Sequence, residues 1–151
     1  MAPSQTGNIR KAEREDLPAL AQLACRLWPD HGAEEMQAEY GEVIAKEDAA
    51  FFLAYAGETA VGFAQCQLRY DYVEGTQSAP VGYLEGIYVA ETCRKQGIAK
   101  ALLAECESWA KSKGCTEFAS DCELDNTQSL QFHLNMGFAE ANRIICFTKK
   151  I

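Results

Sequence analysis

The feature that most constrains the fold of this chain is a loop that joins an apolar run to an amphipathic stretch. Residues 81–89 form an apolar run that predicts a strand, interrupted by the carboxylate of Glu85. Apolar side chains then recur at helical spacing over residues 98–113 and predict a helix that Gly114 ends. The loop residues before this helix are Arg94, Lys95, Gln96 and Gly97. Backbone N–H groups at a helix start attract anions, so the loop predicts a pyrophosphate cradle.

Other nucleotide-binding loops do not fit this segment. The spacing G-x-x-x-x-G-K-[ST] of a P-loop is absent, and no G-x-G-x-x-G follows an early strand. A plain strand–turn–helix, with Gly97 serving only the turn, stays open as the alternative.

Length and charge limit the classes of protein that remain. The 151 residues predict one domain, 1–151, with residues 1–7 as a loose leader. No apolar run approaches about 18 residues, so we expect no membrane span. Residues 1–10 lack the apolar core of a secretory signal, and the scattered cysteines favour reduced thiols, from which we expect a cytoplasmic protein. The net charge of −8 disfavours a nucleic-acid partner and suits a cationic substrate, although solubility alone would also explain it.

The cysteines and histidines argue against structural cross-links and metal. Seven cysteines are present, an odd number, and no C-x-x-C pair occurs. This pattern favours reduced thiols over a disulfide framework or a zinc site. The two histidines lie far apart in the sequence, so we expect no metal centre.

The order of predicted elements indicates a mixed α/β domain. Strands are predicted near Ile9 and over 49–55, 60–70, 81–89, 116–120 and 143–149. Helices are predicted over 13–28, 33–46, 98–113 and 127–136. Early antiparallel strands followed by strand–helix–strand units predict a mixed sheet with helices on both faces.

Two motifs in this order give the chain a family resemblance. The pattern Arg94-x-x-Gly97-x-Ala99 resembles the acetyl-CoA loop [Q/R]-x-x-G-x-[G/A] of the Gcn5-related N-acetyltransferases. Downstream, residues 131–138 (QFHLNMGF) resemble the terminal helix motif of that family. The resemblance implies this family's fold, a mostly antiparallel sheet with one splayed parallel pair, and acetyl-CoA as co-substrate. It places at the cofactor Ile87, Tyr88, Val89, Arg94, Lys95, Gln96, Gly97, Ile98, Ala99, Asn126 and His133.

Further phrases are similar to the aminoglycoside 6′-N-acetyltransferases within this family. They are residues 27–31, 72–76, 80–89, 117–121 and the C-terminal segment 143–150. The resemblance implies that Trp28, Tyr72, Glu85 and Asp121 line the antibiotic site and that Glu85 and Asp121 serve catalysis. Carboxylates pair with ammonium groups and aromatic faces pack on sugar rings, which suits a polycationic aminoglycoside. An enzyme of this type is often a homodimer.

Simpler roles stay open for each of these side chains. Glu85 could face solvent on a half-exposed sheet, Asp121 could start a turn, and Trp28 could anchor a helix end. His133 stands where many family members carry a tyrosine proposed to protonate the CoA thiolate. No base is evident beside Cys93 or Cys122, so direct transfer in a ternary complex is favoured over an acyl-enzyme. Acetylation of a polyamine or a protein N-terminus, and a non-catalytic acyl-CoA sensor, are the remaining alternatives.

Overall fold

A five-stranded mixed sheet forms the centre of the computed structural model, which describes residues 8–151. The strands lie in the sheet in chain order: β1 (Asn8–Lys11), β2 (Ala49–Ala56), β3 (Thr59–Arg69), β4 (Val81–Val89) and β5 (Phe118–Ala119). Neighbours from β1 to β4 are antiparallel, whereas β4 and β5 are parallel. The predicted mixed sheet with one parallel pair is confirmed. The expected loose leader, residues 1–7, lies outside the described residues.

Within the described residues four α-helices accompany the sheet, and the sequence predicts each of them with slightly longer bounds. They are α1 (Leu17–Leu27), α2 (Ala33–Val43), α3 (Ile98–Ser112) and α4 (Thr127–Asn135). The first begins later than expected because residues 14–16 form a separate 3₁₀ turn. In that turn the carboxylate of Asp16 accepts hydrogen bonds from the backbone N–H of Glu13 and from Arg10. None of the helices within residues 8–151 is long and apolar enough to cross a bilayer.

Helices cover both faces of the sheet, as predicted. On one face, α1 and α2 pack on Phe51, Leu53 and Phe63 of the central strands. On the other face, the buried side of α3 packs on Ala64 and Cys66 of β3, and α4 adds the partly buried Phe132 to the same cluster. The sheet is therefore buried on both sides, which explains why its central strands are nearly continuous apolar runs.

The predicted closing strand over residues 143–149 is wrong. Within residues 139–151 the structure has neither helix nor strand, and the backbone pairs with no other strand of the described chain. Ile144, Ile145 and Phe147 are 70%, 80% and 87% exposed. A run of β-branched and aromatic residues favours an extended strand, but a strand also needs a neighbour with free hydrogen-bonding groups. The segment has the residue types of a strand, but no strand within residues 8–151 pairs with it.

Candidate active site

A β-bulge in the middle of β4 sets the direction of the Glu85 side chain. Cys66 of β3 pairs with Leu84 and the preceding residue, Gln65, pairs with Gly86, so Glu85 has no opposite residue on β3. The extra residue reverses the alternation of the strand. Leu84 and Ile87, three positions apart, therefore both pack into the cluster on the α3 face. Bulges of this kind redirect one side chain out of an otherwise regular strand.

The carboxylate of Glu85 lies in a half-buried ion pair. Nε and Nη2 of Arg69 each donate a hydrogen bond of 3.0 Å to its two oxygens, a bidentate arrangement. The side chain of Glu85 is 19% exposed. Its burial raises the pKa of the carboxyl group above the ordinary value, and the nearby guanidinium of Arg69 opposes that shift. A carboxylate with a raised pKa is better suited to accept a proton near neutral pH than an ordinary surface glutamate.

Asp121 is joined to the same cluster through a tyrosine. The hydroxyl of Tyr83 donates a hydrogen bond to Oδ2 of Asp121, which lies just beyond β5. Burial, followed by the contact with Asp121, raises the pKa of the Tyr83 hydroxyl. The phenol therefore stays protonated and acts as a donor. The guanidinium of Arg69 also stacks on the ring of Tyr83, with its central carbon 3.5 Å from the ring centroid. Arg69 and Tyr83 thus link the carboxylate of Glu85 to that of Asp121.

Trp28 also reaches this part of β4, whereas Tyr72 does not join the cluster. Trp28 follows the last residue of α1 and its six-membered ring lies against Gly86. Its side chain is partly buried against the core cluster that α1 and α2 form with the sheet. Trp28 therefore both anchors the end of α1 and borders the site. Tyr72 lies in the loop between β3 and β4, and its side chain is 75% exposed.

The two parallel strands separate soon after they meet. Only Gly82 with Phe118 and Tyr83 with Ala119 are paired, so past Tyr83 no β5 residue accompanies β4. The strand positions predicted to meet the cofactor, 87–89, lie in this unaccompanied part. Ile87 and Val89 pack towards α3 and Tyr88 towards α1. The backbone on the β5 side of these residues is therefore free to bind an extended ligand arm.

The loop before α3 has the backbone shape of an anion cradle. Lys95 and Gly97 both have left-handed conformations, with φ of 64° and 82°. Left-handed residues within a turn direct successive N–H groups inward, and Gly97 immediately precedes the first residue of α3. Ile98 is buried and fixes the helix start in the core, whereas Ala99 is partly buried at the margin of the same cluster. Gln96 lies exposed between the two left-handed residues.

Arg94 fastens this loop to the end of β4. Its Nε donates a hydrogen bond of 2.9 Å to the carbonyl oxygen of Val89. The guanidinium also lies 5.7 Å from the centroid of the Tyr88 ring. Arg94 thus shapes the cradle, and its remaining N–H groups can still attract a phosphate.

The two predicted cofactor residues on α4 have defined hydrogen bonds. Asn126 is the N-cap, and its Oδ1 accepts a hydrogen bond of 3.0 Å from the N–H of Ser129. Nδ1 of His133 lies 2.7 Å from the carbonyl oxygen of Ser129, so this nitrogen carries the hydrogen. Nε2 lies 2.7 Å from Oγ of Ser120. In the neutral ring Nε2 therefore accepts from Ser120, and His133 ties α4 to the residue after β5.

The thiols of the described residues form no disulfide, and their acidic groups form no cluster that could hold a metal. All seven cysteines are free. The thiol of Cys93 lies 3.8 Å from the hydroxyl of Thr92, and Cys122 is exposed. Across residues 8–151, no three side chains of His, Cys, Asp or Glu gather closely enough to hold a metal ion.

Sequence reasoning missed Arg69 and Tyr83, the two side chains that connect the carboxylates. Tyr83 precedes Glu85 by two positions and was counted only as part of an apolar strand. Arg69 ends β3, and its partner lies 16 positions later in the sequence. The usable signal was an arginine at the end of an apolar strand, opposite a strand that carries an unexplained glutamate.

The fold and this site define an acetyltransferase, and the chain belongs to the acetyltransferase (GNAT) family, whose family model matches residues 17–138. The chain is 40% identical over 144 residues to the aminoglycoside N(6′)-acetyltransferase type 1 of Acinetobacter haemolyticus, covering 95% of this chain and 99% of that protein. It is 41% identical over 140 residues to the enzyme of the same name from Serratia marcescens, covering 92% and 96%. The solved structure of AAC(6′)-Iy with CoA superimposes with a TM-score of 0.92 at 38% identity, covering 95% of each chain.

Proposed function

We propose that this chain transfers the acetyl group of acetyl-CoA to the 6′-amine of an aminoglycoside antibiotic and thereby confers resistance. The observation that carries the proposal is the pair of carboxylates, Glu85 and Asp121, held together where β4 and β5 separate. Trp28 borders the same place and offers an aromatic face to a sugar ring. The close relatives are named for this reaction, and their similarity extends over nearly the whole chain.

In the proposed reaction, Glu85 removes a proton from the bound ammonium, directly or through a water molecule. Acetyl-CoA, the co-substrate, supplies the thioester carbon that the neutral amine attacks. The new N–C bond forms as the C–S bond breaks, and the CoA thiolate takes up one proton. Two protons therefore leave the nitrogen: one ends on the thiol of CoA, and the one taken by Glu85 passes to solvent and regenerates the carboxylate. Asp121 holds the cationic sugar by charge, and no covalent acetyl-enzyme is formed.

The proposed cofactor site joins the splayed strand to the anion cradle. Residues 96–99 would bind the pyrophosphate through backbone N–H groups, with Arg94 and Lys95 adding positive charge. Residues 87–89 would hold the pantetheine arm along the unaccompanied edge of β4. Asn126 and His133 would border that arm from α4.

A thiol-release assay with acetyl-CoA and a panel of amines tests the substrate assignment. We expect turnover with aminoglycosides that carry a 6′-amine and none with analogues that carry a 6′-hydroxyl, because those present no acceptor amine. Acetylation of a polyamine or a peptide N-terminus in preference to every aminoglycoside would contradict the proposed substrate and leave the family assignment intact.

We also propose that the enzyme is a homodimer whose C-terminal segments, residues 139–151, contact the second copy. The support is the row of exposed apolar side chains at Ile144, Ile145 and Phe147, which a second copy would bury. Sedimentation velocity tests this: Phe147→Ser should dissociate a dimer. Leu124→Ser, at an exposed apolar residue outside the segment, should leave it intact. A monomeric unaltered protein would contradict the proposal.

Finally, we propose that residues 1–151 form one domain that works in the cytoplasm. The free thiols support a reducing compartment.

A further inference from the structure

One cation lies between the two carboxylates that are proposed to meet a cationic substrate. The guanidinium of Arg69 binds both oxygens of Glu85 at 3.0 Å and lies on the ring of Tyr83, whose hydroxyl binds Asp121. The four side chains therefore form one connected row. Its end members are negative, and Arg69 brings their combined charge from −2 to −1.

The contacts of Arg69 fix the carboxylate of Glu85 in both position and orientation. A guanidinium that donates from Nε and Nη2 holds the plane of the carboxylate as well as its distance, which a lysine ammonium would not do. The bidentate contact uses one lone pair of each oxygen, so each oxygen keeps another for water or an amine. The stack on Tyr83 supports Arg69 independently of Glu85.

We propose that Arg69 is a positioning residue for the acetyl transfer, which keeps Glu85 ionised and aimed at the acceptor amine. The inference rests on the proposed function in assigning proton removal to Glu85. Arg69 remains in place when the amine binds, because its stacking on the ring of Tyr83 is a second contact that does not involve Glu85. The positive charge of Arg69 repels the substrate cation, and the negative charge of Asp121 offsets this repulsion.

The charged groups around Glu85 make the effect of Arg69 testable. Arg69 approaches from β3, Tyr83 from β4 itself, and Asp121 from the residues after β5. From α1 the neighbouring side chains at Gly86 are Trp28 and Leu27, which carry no charge. Burial and Asp121 both raise the pKa of Glu85, and Arg69 lowers it. Without Arg69 only the effects that raise the pKa remain.

Carbon-13 NMR of the glutamate δ-carboxyl groups tests the effect of Arg69 on the charge of Glu85 without any substrate. The Glu85 signal is assigned by its loss in Glu85→Gln and titrated in the unaltered protein, Arg69→Met and Arg69→Lys. In Arg69→Met we expect the midpoint to rise by about 1 pH unit or more, the size of effect expected when an opposite charge at contact distance is removed. Arg69→Lys should keep the midpoint near that of the unaltered protein. It should nevertheless lower kcat about tenfold or more, because charge without the bidentate contact no longer orients the base.

Arg10 offers a matched control. It forms the same kind of bidentate contact with Asp16 and lies 5.2 Å from the ring centroid of Tyr55, outside the site. Arg10→Met should lower thermal stability while leaving the Glu85 titration and the acidic limb of the kcat profile unchanged. In Arg69→Met that limb should move to higher pH together with the NMR midpoint.

An unmoved midpoint in Arg69→Met, or an equal movement in Arg10→Met, would overturn the proposal. So would full kcat in Arg69→Lys with an aminoglycoside that the unaltered protein acetylates. Should Arg69→Met not fold, Arg69→Gln provides the same loss of charge with a polar side chain. The NMR titration stands even if no aminoglycoside is acetylated, so failure of the proposed function shows in the amine panel and failure of the Arg69 proposal shows in the titration.

Discussion

Trp28 occupies the space next to Gly86 so closely that no larger residue fits there without movement. A β-carbon placed on Gly86 would lie 2.7 Å from Cη2 of Trp28, shorter than normal van der Waals contact. The absence of a side chain at position 86 is what allows the indole ring to lie against the strand, immediately beside Glu85.

Gly86→Ala should therefore displace Trp28 and weaken aminoglycoside binding. We expect KM for the aminoglycoside to rise about tenfold, or about 1.4 kcal/mol of binding free energy, because the displaced indole no longer packs on the sugar ring. The acetyl-CoA affinity should not change. The control is Gly32→Ala, where a β-carbon meets no described atom within 4 Å. Steady-state kinetics at saturating acetyl-CoA measure the effect, and an unchanged KM in Gly86→Ala would contradict a role for Trp28 in the site.

Gly97→Val should weaken acetyl-CoA binding at least tenfold. A β-branched residue is strained at a φ of 82°, and its side chain would stand where the phosphate approaches the backbone. Gly114→Val is the matched control, because Gly114 has a φ of 91° at the end of α3 and no described atom within 4 Å of its β-carbon position. Both variants should lose stability. Isothermal calorimetry should show a loss of acetyl-CoA affinity in the Gly97 variant only. Equal acetyl-CoA affinities of the Gly97 and Gly114 variants would show that the pyrophosphate does not bind at this loop.

Glu85→Gln and Asp121→Asn should separate proton removal from binding. Glu85→Gln keeps the shape and loses the base, so kcat/KM for a 6′-amino aminoglycoside should fall about 10²-fold or more. Asp121→Asn can still accept the hydrogen bond from Tyr83 but loses the charge, so KM should rise more than kcat falls. Acetyl-CoA affinity should be nearly unchanged in both. A Glu85→Gln enzyme with full kcat at neutral pH would exclude Glu85 as the base.

Cys93→Ala and Cys122→Ala should both retain activity. Neither thiol has a base positioned to activate it, so neither is expected to carry the acetyl group. Initial-rate plots at varied acetyl-CoA and aminoglycoside should intersect. Parallel lines, or an acetylated cysteine detected by mass spectrometry, would indicate a covalent intermediate instead.

The ion pair at the start of α1 should make stability depend on pH in the acidic range. Asp16 is 7% exposed and accepts two hydrogen bonds from Arg10, which hold the pKa of its carboxyl group below the ordinary value. A carboxyl group whose pKa is lowered by folding stabilises the fold above its unfolded pKa of about 3.9, and this contribution disappears as the pH falls through the folded value. Asp16→Asn should therefore cost about 1–3 kcal/mol at pH 7 and much less at pH 2–3.

Urea unfolding at both pH values measures this difference. Glu140→Gln is the control, because Glu140 pairs with Arg143 on the exposed C-terminal segment and surface pairs contribute little. A cost for Asp16→Asn that is the same at pH 7 and at pH 2–3 would show that the charge of Asp16 is not what stabilises this turn.

Periodicity was sufficient to predict the elements whose burial is one-sided or complete. The strand 81–89 was predicted with its observed bounds, and the helix from Ile98 was wrong by one residue at its end. The bulge at Glu85 could have been inferred from Leu84 and Ile87, apolar residues at a spacing that no regular strand puts on one face. The ion pair between Glu85 and Arg69 could not have been inferred from the sequence, because it depends on the register between β3 and β4.

The C-terminal error has a related physical cause. Residue types report the conformation that a segment prefers, whereas the presence of a strand also depends on which edge is available to it. The β5 strand has only two paired residues, and nothing in the sequence indicates that the parallel pair would be so short.

The bulge in β4 also limits how such an enzyme can change under selection by new antibiotics. Leu84 and Ile87 anchor opposite sides of the bulge in the same core cluster. Inserting or deleting one residue there would turn half of the strand over and expose that core. Adaptation to a different aminoglycoside should therefore leave Glu85 where it is and accumulate substitutions outside the bulge, such as at the end of α1.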